Sequence, residues 1–111
     1  MKSQKLKAFN DFLRRAEIIP ETLLVITMDS SLACERAIGE LEELSYEIPF
    51  YELNLSENPY LEQELANYYD KDNLPAFIYF NGKNVINKKI GFDGEVNISH
   101  FLLQSMSLNH N

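Results

Sequence analysis

The chain has 111 residues, 45% of them hydrophobic and 24% charged, which is the composition of one globular domain spanning 1–111. A formal net charge of -7 repels phosphate backbones and anionic membranes, so neither nucleic acid nor a membrane is expected as a partner. The single cysteine excludes an internal disulfide and cysteine-rich zinc sites, and both histidines lie near the C-terminal end, so we expect no metal and no cofactor.

The compartment is inferred from what the sequence lacks. No apolar run approaches the ~20 residues of a membrane span, and the lysine-rich start, 1–7, is not followed by the apolar segment of a secretory signal. A single reduced thiol is ordinary in the cytoplasm. We therefore expect a cytoplasmic protein.

The first predicted element is a helix over 5–18, in which apolar residues recur at helical spacing between charged ones. Pro20 ends this helix. The continuous apolar run 22–28 then has the length and the β-branched residues of a strand buried on both faces. We therefore expect an N-terminal helix within 1–19, followed by a core over 20–108 that begins with a central strand.

A second helix is predicted over 32–44, because Asp29, Ser30 and Ser31 offer three possible N-caps directly before it. Gly39 lies in the middle of this helix, where glycine costs about 1 kcal/mol relative to alanine. We expect this glycine to mark a bend or a close packing contact.

The next elements alternate in type along the chain. A strand is predicted over 49–55 and a helix over 56–69. Two further strands, 74–80 and 85–90, are separated by Asn81-Gly82, and Asn-Gly between two such runs is the strongest short hairpin signal. The chain therefore passes from parallel strands joined by helices to an antiparallel hairpin.

A final helix closes the domain before a polar tail, 109–111. One face of this helix is apolar and consists of Ile98, Phe101, Leu102 and Met106. The complete order predicts an α/β protein with a mixed central sheet of about four strands between two layers of helices.

Three segments, in this order, resemble the thioredoxin family. The segment 53–59, L-N-L-S-E-N-P, is similar to the family's strand-to-helix segment V-D-x-D-x-N-P. The segment 74–83, L-P-A-F-I-Y-F-N-G-K, is similar to I-P-T-x-x-x-F-x-N-G, whose proline is cis and borders the redox site. The segment 90–92, I-G-F, matches the glycine-containing turn before the last helix. The resemblance covers 20–108 and implies a thioredoxin-like three-layer α/β/α sandwich with an additional N-terminal helix.

The residues that carry the chemistry of thioredoxins are replaced in this chain. Thioredoxins have W-C-G-P-C at the start of the helix after the first core strand, and 30–34 is S-S-L-A-C. In the family the first thiol attacks as a thiolate and the second resolves the mixed disulfide. Ser31 stands at the attacking position and Cys34 at the resolving one, while Val25 replaces a buried carboxylate that assists proton transfer. Because serine forms no disulfide, dithiol-disulfide oxidoreductase activity is not expected.

Two interpretations stay open for each residue of this degenerate active site. Cys34 is either a small side chain packed under the helix start, which we favour because free cysteines are among the most buried residues, or a reactive monothiol. Ser31 is either a helix N-cap, which we favour, or a hydroxyl that hydrogen-bonds a bound thiol. Pro75 either shapes a groove for an extended peptide or only turns the chain into its strand.

We therefore expect a non-catalytic binding or adaptor module whose partner is a protein or an extended peptide. The alternative is a monothiol redox protein, involved in cell redox homeostasis, that forms mixed disulfides at Cys34, and glutathione is a further candidate ligand. The expected binding residues are Ser30, Ser31, Leu32, Ala33, Leu74, Pro75 and Phe92.

Overall fold

The computed structural model describes residues 1–110, which form nine regular elements. The strands are β1 (Ser3–Leu6), β2 (Thr22–Thr27), β3 (Phe50–Asn54), β4 (Ala76–Asn81) and β5 (Asn84–Ile90), and the helices are α1 (Phe9–Ala16), α2 (Leu32–Glu43), α3 (Tyr60–Glu64) and α4 (Glu95–Asn109). The predicted polar tail, 109–111, is helical at Asn109, and its last residue lies outside the described part of the chain.

The five strands form one mixed sheet in the order β1-β3-β2-β4-β5. The first three strands in this order are parallel, β4 runs antiparallel to β2, and β5 pairs with β4 as the second half of a hairpin. Gly82 turns the hairpin with a φ of +57°, a conformation that glycine adopts without steric cost. The predicted mixed sheet is confirmed, with five strands instead of about four.

The additional strand is β1, which occupies part of the region predicted as helix 5–18. Residues 3–6 pair in parallel with β3, and Leu6 is buried opposite Leu53. Three of the four strand residues are Ser, Gln and Lys on the sheet edge, so this strand has no apolar alternation of its own. Its conformation comes from hydrogen bonding to a strand more than forty residues away in the sequence, and the helix begins only at Phe9.

Helix α3 is shorter than the predicted 56–69, since it ends at Glu64. Beyond it the amides of Ala66 and Tyr68 bond to carbonyls three residues back, which is the geometry of tight turns. Tyr68 and Tyr69 then pack against the core from these turns. Tyr68 and Tyr69 therefore reach the core from turns and not from a continuation of the helix.

The sheet separates two clusters of buried side chains. Phe12 of α1 and Leu61 of α3 pack on one face, whereas Leu41 of α2 and Phe101 of α4 pack on the other. All six residues of β2 are buried, which confirms the prediction of a central strand covered on both faces. None of the helices in the described part of the chain is long and apolar enough to cross a membrane.

Candidate functional site

The loop before α2, the segment at Pro75 and the turn at Gly91 meet at one end of the sheet. Ile26, near the end of β2, is opposite Ala76 at the start of β4, so the loop after β2 and Pro75 lie at the same end of the sheet. The Leu74–Pro75 peptide bond is cis. The amide of Gly91 donates a hydrogen bond to the carbonyl oxygen of Pro75 at 2.8 Å, which brings the turn before α4 to this end of the sheet as well.

Ser31 is the N-cap of α2. Its backbone is extended, with φ -110° and ψ 110°, and its Oγ accepts a hydrogen bond from the amide of Cys34 at 3.2 Å. This contact satisfies one of the amides that the first turn of a helix leaves without a partner. The hydroxyl therefore has a structural task that requires no ligand, as the favoured interpretation of Ser31 predicts. Ser30, directly before it, has a φ of +60°, in the left-handed region that favours glycine.

Cys34 is packed and not presented to solvent. Its side chain is 3% exposed and belongs to the buried cluster that includes Ile26, Leu74 and Ala76. A thiol in this position behaves as a small apolar side chain that fills the space between the start of α2 and the sheet. The packing agrees with the interpretation favoured from the sequence.

The other predicted binding residues differ in how much of them faces solvent. Leu32 is 67% exposed, and Ser30 is exposed as well. Ala33 and Phe92 are half-buried, whereas Leu74 and Pro75 are buried. Of the exposed residues nearby, the sequence analysis missed Met28, which is 39% exposed in the loop after β2 and adds a second apolar side chain beside the start of α2.

A network of polar side chains holds the loop before α2 in place. Asn54 Nδ2 donates to Asp29 Oδ1 at 2.9 Å, and the amide of Asp29 donates to Ser56 Oγ at 2.9 Å. The amide of Ser56 in turn donates to Asn54 Oδ1 at 2.8 Å. These positioning residues were missed by the sequence analysis, although Asp29 and Asn54 lie at the carboxyl ends of adjacent parallel strands, where loops meet.

A groove of about 400 Å³ runs beside this network, between α2 and the parallel strands. Its floor includes Glu52, which lies opposite Val25 in the sheet and accepts a hydrogen bond from Thr27 Oγ1 at 2.5 Å. Cys34 and Gly39 contribute to the α2 wall. Gly39 is exposed, and a Cβ built on it would have no described atom within 4 Å apart from its chain neighbours and the backbone of its own helix, so the expected close packing contact is absent from the described residues.

Charges around the groove are mostly acidic. Four carboxylates line it, those of Asp29, Glu35, Glu42 and Glu52, together with Lys5. A salt bridge of 2.7 Å to Glu57 raises the pKa of Lys5 above its ordinary value of 10.5. Within residues 1–110 no three His, Cys, Asp or Glu side chains are grouped so that they could hold a metal ion.

Comparison with solved structures identifies the fold. Over 96% of this chain and 92% of the other, the structure is similar to a thioredoxin from Trypanosoma brucei brucei, with a TM-score of 0.77 and 15% sequence identity. A thioredoxin from Plasmodium falciparum is similar over 91% of this chain and 97% of its own, with a TM-score of 0.77 and 10% identity. For a thioredoxin from Malassezia sympodialis, Mala s 13, the shares are 94% and 91%, the TM-score is 0.73 and the identity is 16%.

The sequence comparisons gave no match: no family model and no curated protein matches this chain. The structural similarity extends over nearly the whole chain, and it agrees with the fold that the resemblance in the sequence implies. The chain is therefore a thioredoxin-fold protein.

Proposed function

We propose that the protein is a non-catalytic binding module that uses the thioredoxin scaffold. The observation that carries this proposal is the state of its only thiol: Cys34 is 3% exposed, and the serine at the attacking position is occupied as a helix cap. A thiol-disulfide cycle needs an accessible thiolate and a second thiol to resolve the mixed disulfide. Neither requirement is met by this pair of residues.

The proposed docking surface is named here the Leu32 surface. It consists of Met28, Ser30, Ser31 and Leu32, and Pro75 and Phe92 lie at the same end of the sheet. Leu32, at 67% exposure, and Met28 are apolar side chains left in water at the end of the sheet. Apolar anchors of this kind bind a pocket or strand of a partner when they are surrounded by polar groups. The partner is expected to be a protein segment.

The rigidity of the surrounding loop supports this assignment. Asp29 is tied to Asn54 and Ser56 by two hydrogen bonds of 2.9 Å each, and Ser31 begins α2 through its cap. A loop fixed in this way presents Met28 and Leu32 with little loss of conformational freedom on binding.

The alternative function is that of a monothiol redox protein, and one observation favours it. Cys34 borders the groove beside α2, so a small opening of that groove exposes its sulfur. In that case the Cys34 thiol loses its proton to water, and the resulting thiolate attacks one sulfur of glutathione disulfide. A mixed disulfide forms at Cys34, and one glutathione thiolate leaves.

Affinity capture from a cell extract under reducing conditions tests the proposal, with Leu32→Glu compared with Ile18→Glu. Both changes add one carboxylate at an exposed apolar position, since Leu32 is 67% and Ile18 83% exposed. A specific partner should be lost with Leu32→Glu and kept with Ile18→Glu. Capture that needs oxidising conditions and disappears in Cys34→Ala supports the monothiol alternative instead.

The amide NMR spectrum of the wild type with glutathione at millimolar concentration tests that ligand separately, through shifts at Ser31 and the residues next to Pro75.

A further inference from the structure

The groove between α2 and the parallel strands carries negative charge that the fold does not pair. Four carboxylates line it without a salt bridge to any residue within 1–110, those of Asp29, Glu35, Glu42 and Glu52. Lys5 is also in the lining, but its ammonium group forms its salt bridge with Glu57, which is outside the lining. One lysine offsets at most one of the four charges. Because carboxylates gathered along a concave surface attract cations, the groove suits a positively charged ligand.

The strongest point for a cation is Glu52, on the floor of the groove. Its side chain is half-buried, whereas the other three acidic residues of the lining are exposed. Its Oε2 accepts a hydrogen bond from the hydroxyl of the buried Thr27, which leaves its charge unpaired and other acceptor positions unused. The attraction between opposite charges is stronger where water is partly excluded. A cationic donor that reaches the floor therefore gains more from Glu52 than from an exposed carboxylate.

Gly39 leaves an opening in the helical wall of the groove. Glu35, Gly39 and Glu42 are spaced by four and three residues, so they share one side of α2, with the glycine between two carboxylates. A Cβ at Gly39 would meet no described atom within 4 Å beyond its chain neighbours and the backbone of its own helix. The cost of about 1 kcal/mol for glycine in a helix interior is therefore not explained by packing. The missing side chain does give a ligand room to approach the helix backbone.

The shape and the apolar part of the lining indicate a long basic side chain. Seven residues separate Glu35 from Glu42, which places them about 10 Å apart along the helix axis. Met28 and Ile38 add apolar surface to the same lining. An arginine matches both features, because its alkyl stem packs on apolar groups while its charged head binds carboxylates. Its guanidinium group is also less strongly hydrated than an ammonium group and presents several donors in one plane, as a half-buried carboxylate requires.

The groove is continuous with the Leu32 surface, since Met28 and Ser30 belong to both. We propose that the groove binds an arginine side chain from the protein segment that docks on the Leu32 surface, an inference that rests on the proposed function. The partner segment then carries an apolar residue for Leu32 and an arginine that reaches Glu52. This assigns the partner a chemical class: a basic segment, complementary to a protein with a net charge of -7.

An NMR titration of the full chain with N-acetyl-arginine amide at millimolar concentration tests the groove without any partner. At low ionic strength, where charges are least screened, this probe should shift the amides of Gly39 and of the residues next to Glu52. N-acetyl-citrulline amide has nearly the same shape and no charge, and it should not bind. Glu52→Gln should weaken the binding of the arginine probe about tenfold, because a hydrogen bond to a charged group is lost. Glu64→Gln removes an exposed carboxylate of α3, outside the lining, and should bind like the wild type.

Gly39→Leu tests the opening in the wall. Leucine is a good helix former, so this variant should fold normally while its side chain occupies the space beside Glu52 and reduces binding of the probe. Equal shifts with the arginine and citrulline probes overturn the proposal. Binding that neither Glu52→Gln nor Gly39→Leu reduces overturns it as well.

The variant Leu32→Glu separates this proposal from the proposed function. The arginine probe should still bind to it, because Leu32 is not part of the groove. If no arginine probe binds the wild type while Leu32→Glu still loses the captured partner, the arginine site is overturned and the binding module stands. If the probe binds at Glu52 while capture is unaffected by Leu32→Glu, the docking on the Leu32 surface is overturned and the cation site stands.

Discussion

The hydroxyl of Ser31 accepts a hydrogen bond from the amide of Cys34 at 3.2 Å, within the first turn of α2. The residue that the resemblance places at the attacking position of thioredoxin chemistry thus begins the helix whose first turn contains the buried Cys34. Both side chains are used by the fold, which leaves the exposed Met28 and Leu32 as the candidate functional groups at this end of the sheet.

Replacing the Ser31 cap should reduce the stability of the fold. Ser31→Ala removes the acceptor of the Cys34 amide and should lower the free energy of unfolding by about 1 kcal/mol. Ser31→Asp retains an acceptor and adds a favourable charge at the helix N-terminus, so it should keep the wild-type value or exceed it. Urea unfolding followed by circular dichroism measures both variants, and an unchanged midpoint in Ser31→Ala would contradict the capping role.

Gly39 should be replaceable with a gain in stability. It lies within α2, and a Cβ placed there would meet no described atom within 4 Å beyond its chain neighbours and the backbone of its own helix, so Gly39→Ala meets no steric obstacle. Alanine is favoured over glycine in a helix interior by about 1 kcal/mol, and the urea midpoint should rise accordingly. Gly82→Ala provides the contrast, because its φ of +57° disfavours any side chain and the midpoint should fall.

Removing the hydroxyl of Tyr79 should cost no stability. The ring is fully buried on β4, and the oxygen makes no hydrogen bond to any of the described residues. Burial raises the pKa of Tyr79 far above its ordinary value of 10.0, and the carboxylate of Glu21, which is near the hydroxyl but does not accept a hydrogen bond from it, raises the pKa further. Tyr79→Phe removes a buried polar group without a partner, so its thermal midpoint should equal or exceed that of the wild type. A lower midpoint would mean that the hydroxyl has a partner in solution.

Glu40 should make the protein less stable as the pH rises. Removal of water around its carboxyl group, and then the carboxylate of Glu95 at the start of α4, raise the pKa of Glu40 above its ordinary value of 4.5. A raised pKa means that the folded state binds this proton more tightly than the unfolded state does. The stabilisation from this proton is fully present at pH values below the ordinary pKa of the side chain. It is lost as the pH rises through the raised pKa of the folded state.

The variant Glu40→Gln isolates this effect. Its urea midpoint should exceed that of the wild type at pH 7, and the difference should shrink as the pH falls below 4.5, where the wild-type side chain is also uncharged. Glu64→Gln, at an exposed position of α3, is the control for removing one carboxylate. If the difference in urea midpoint between Glu40→Gln and the wild type did not change with pH, the raised pKa of Glu40 would not be its cause.

The elements with strong local signals were predictable from the sequence. The apolar run 22–28 predicted the central strand, the serines before residue 32 predicted the cap of α2, and Asn81-Gly82 predicted the hairpin. Each of these depends on residues that are neighbours in the chain, so a pattern of a few residues contains the information.

The features that were missed depend on contacts between distant residues. Strand β1 is mostly polar and exists because β3 pairs with it, and α3 ends early while Tyr68 still packs on the core. In the same way, the hydrogen bond between Asn54 and Asp29 joins loops that follow different strands. None of these contacts has a local sequence signal, because each is set by the tertiary structure.

The reactivity of Cys34 in the native protein tests the central claim most directly. The rate of alkylation is measured from pH 6 to pH 9 in buffer and again with increasing urea, with reduced glutathione as the reference thiol. A packed Cys34 should react much more slowly than glutathione at every pH, with a rate that follows the unfolded fraction as urea is added. Rapid alkylation at neutral pH without urea would show an accessible thiolate. It would contradict the proposed binding module and favour a monothiol redox protein.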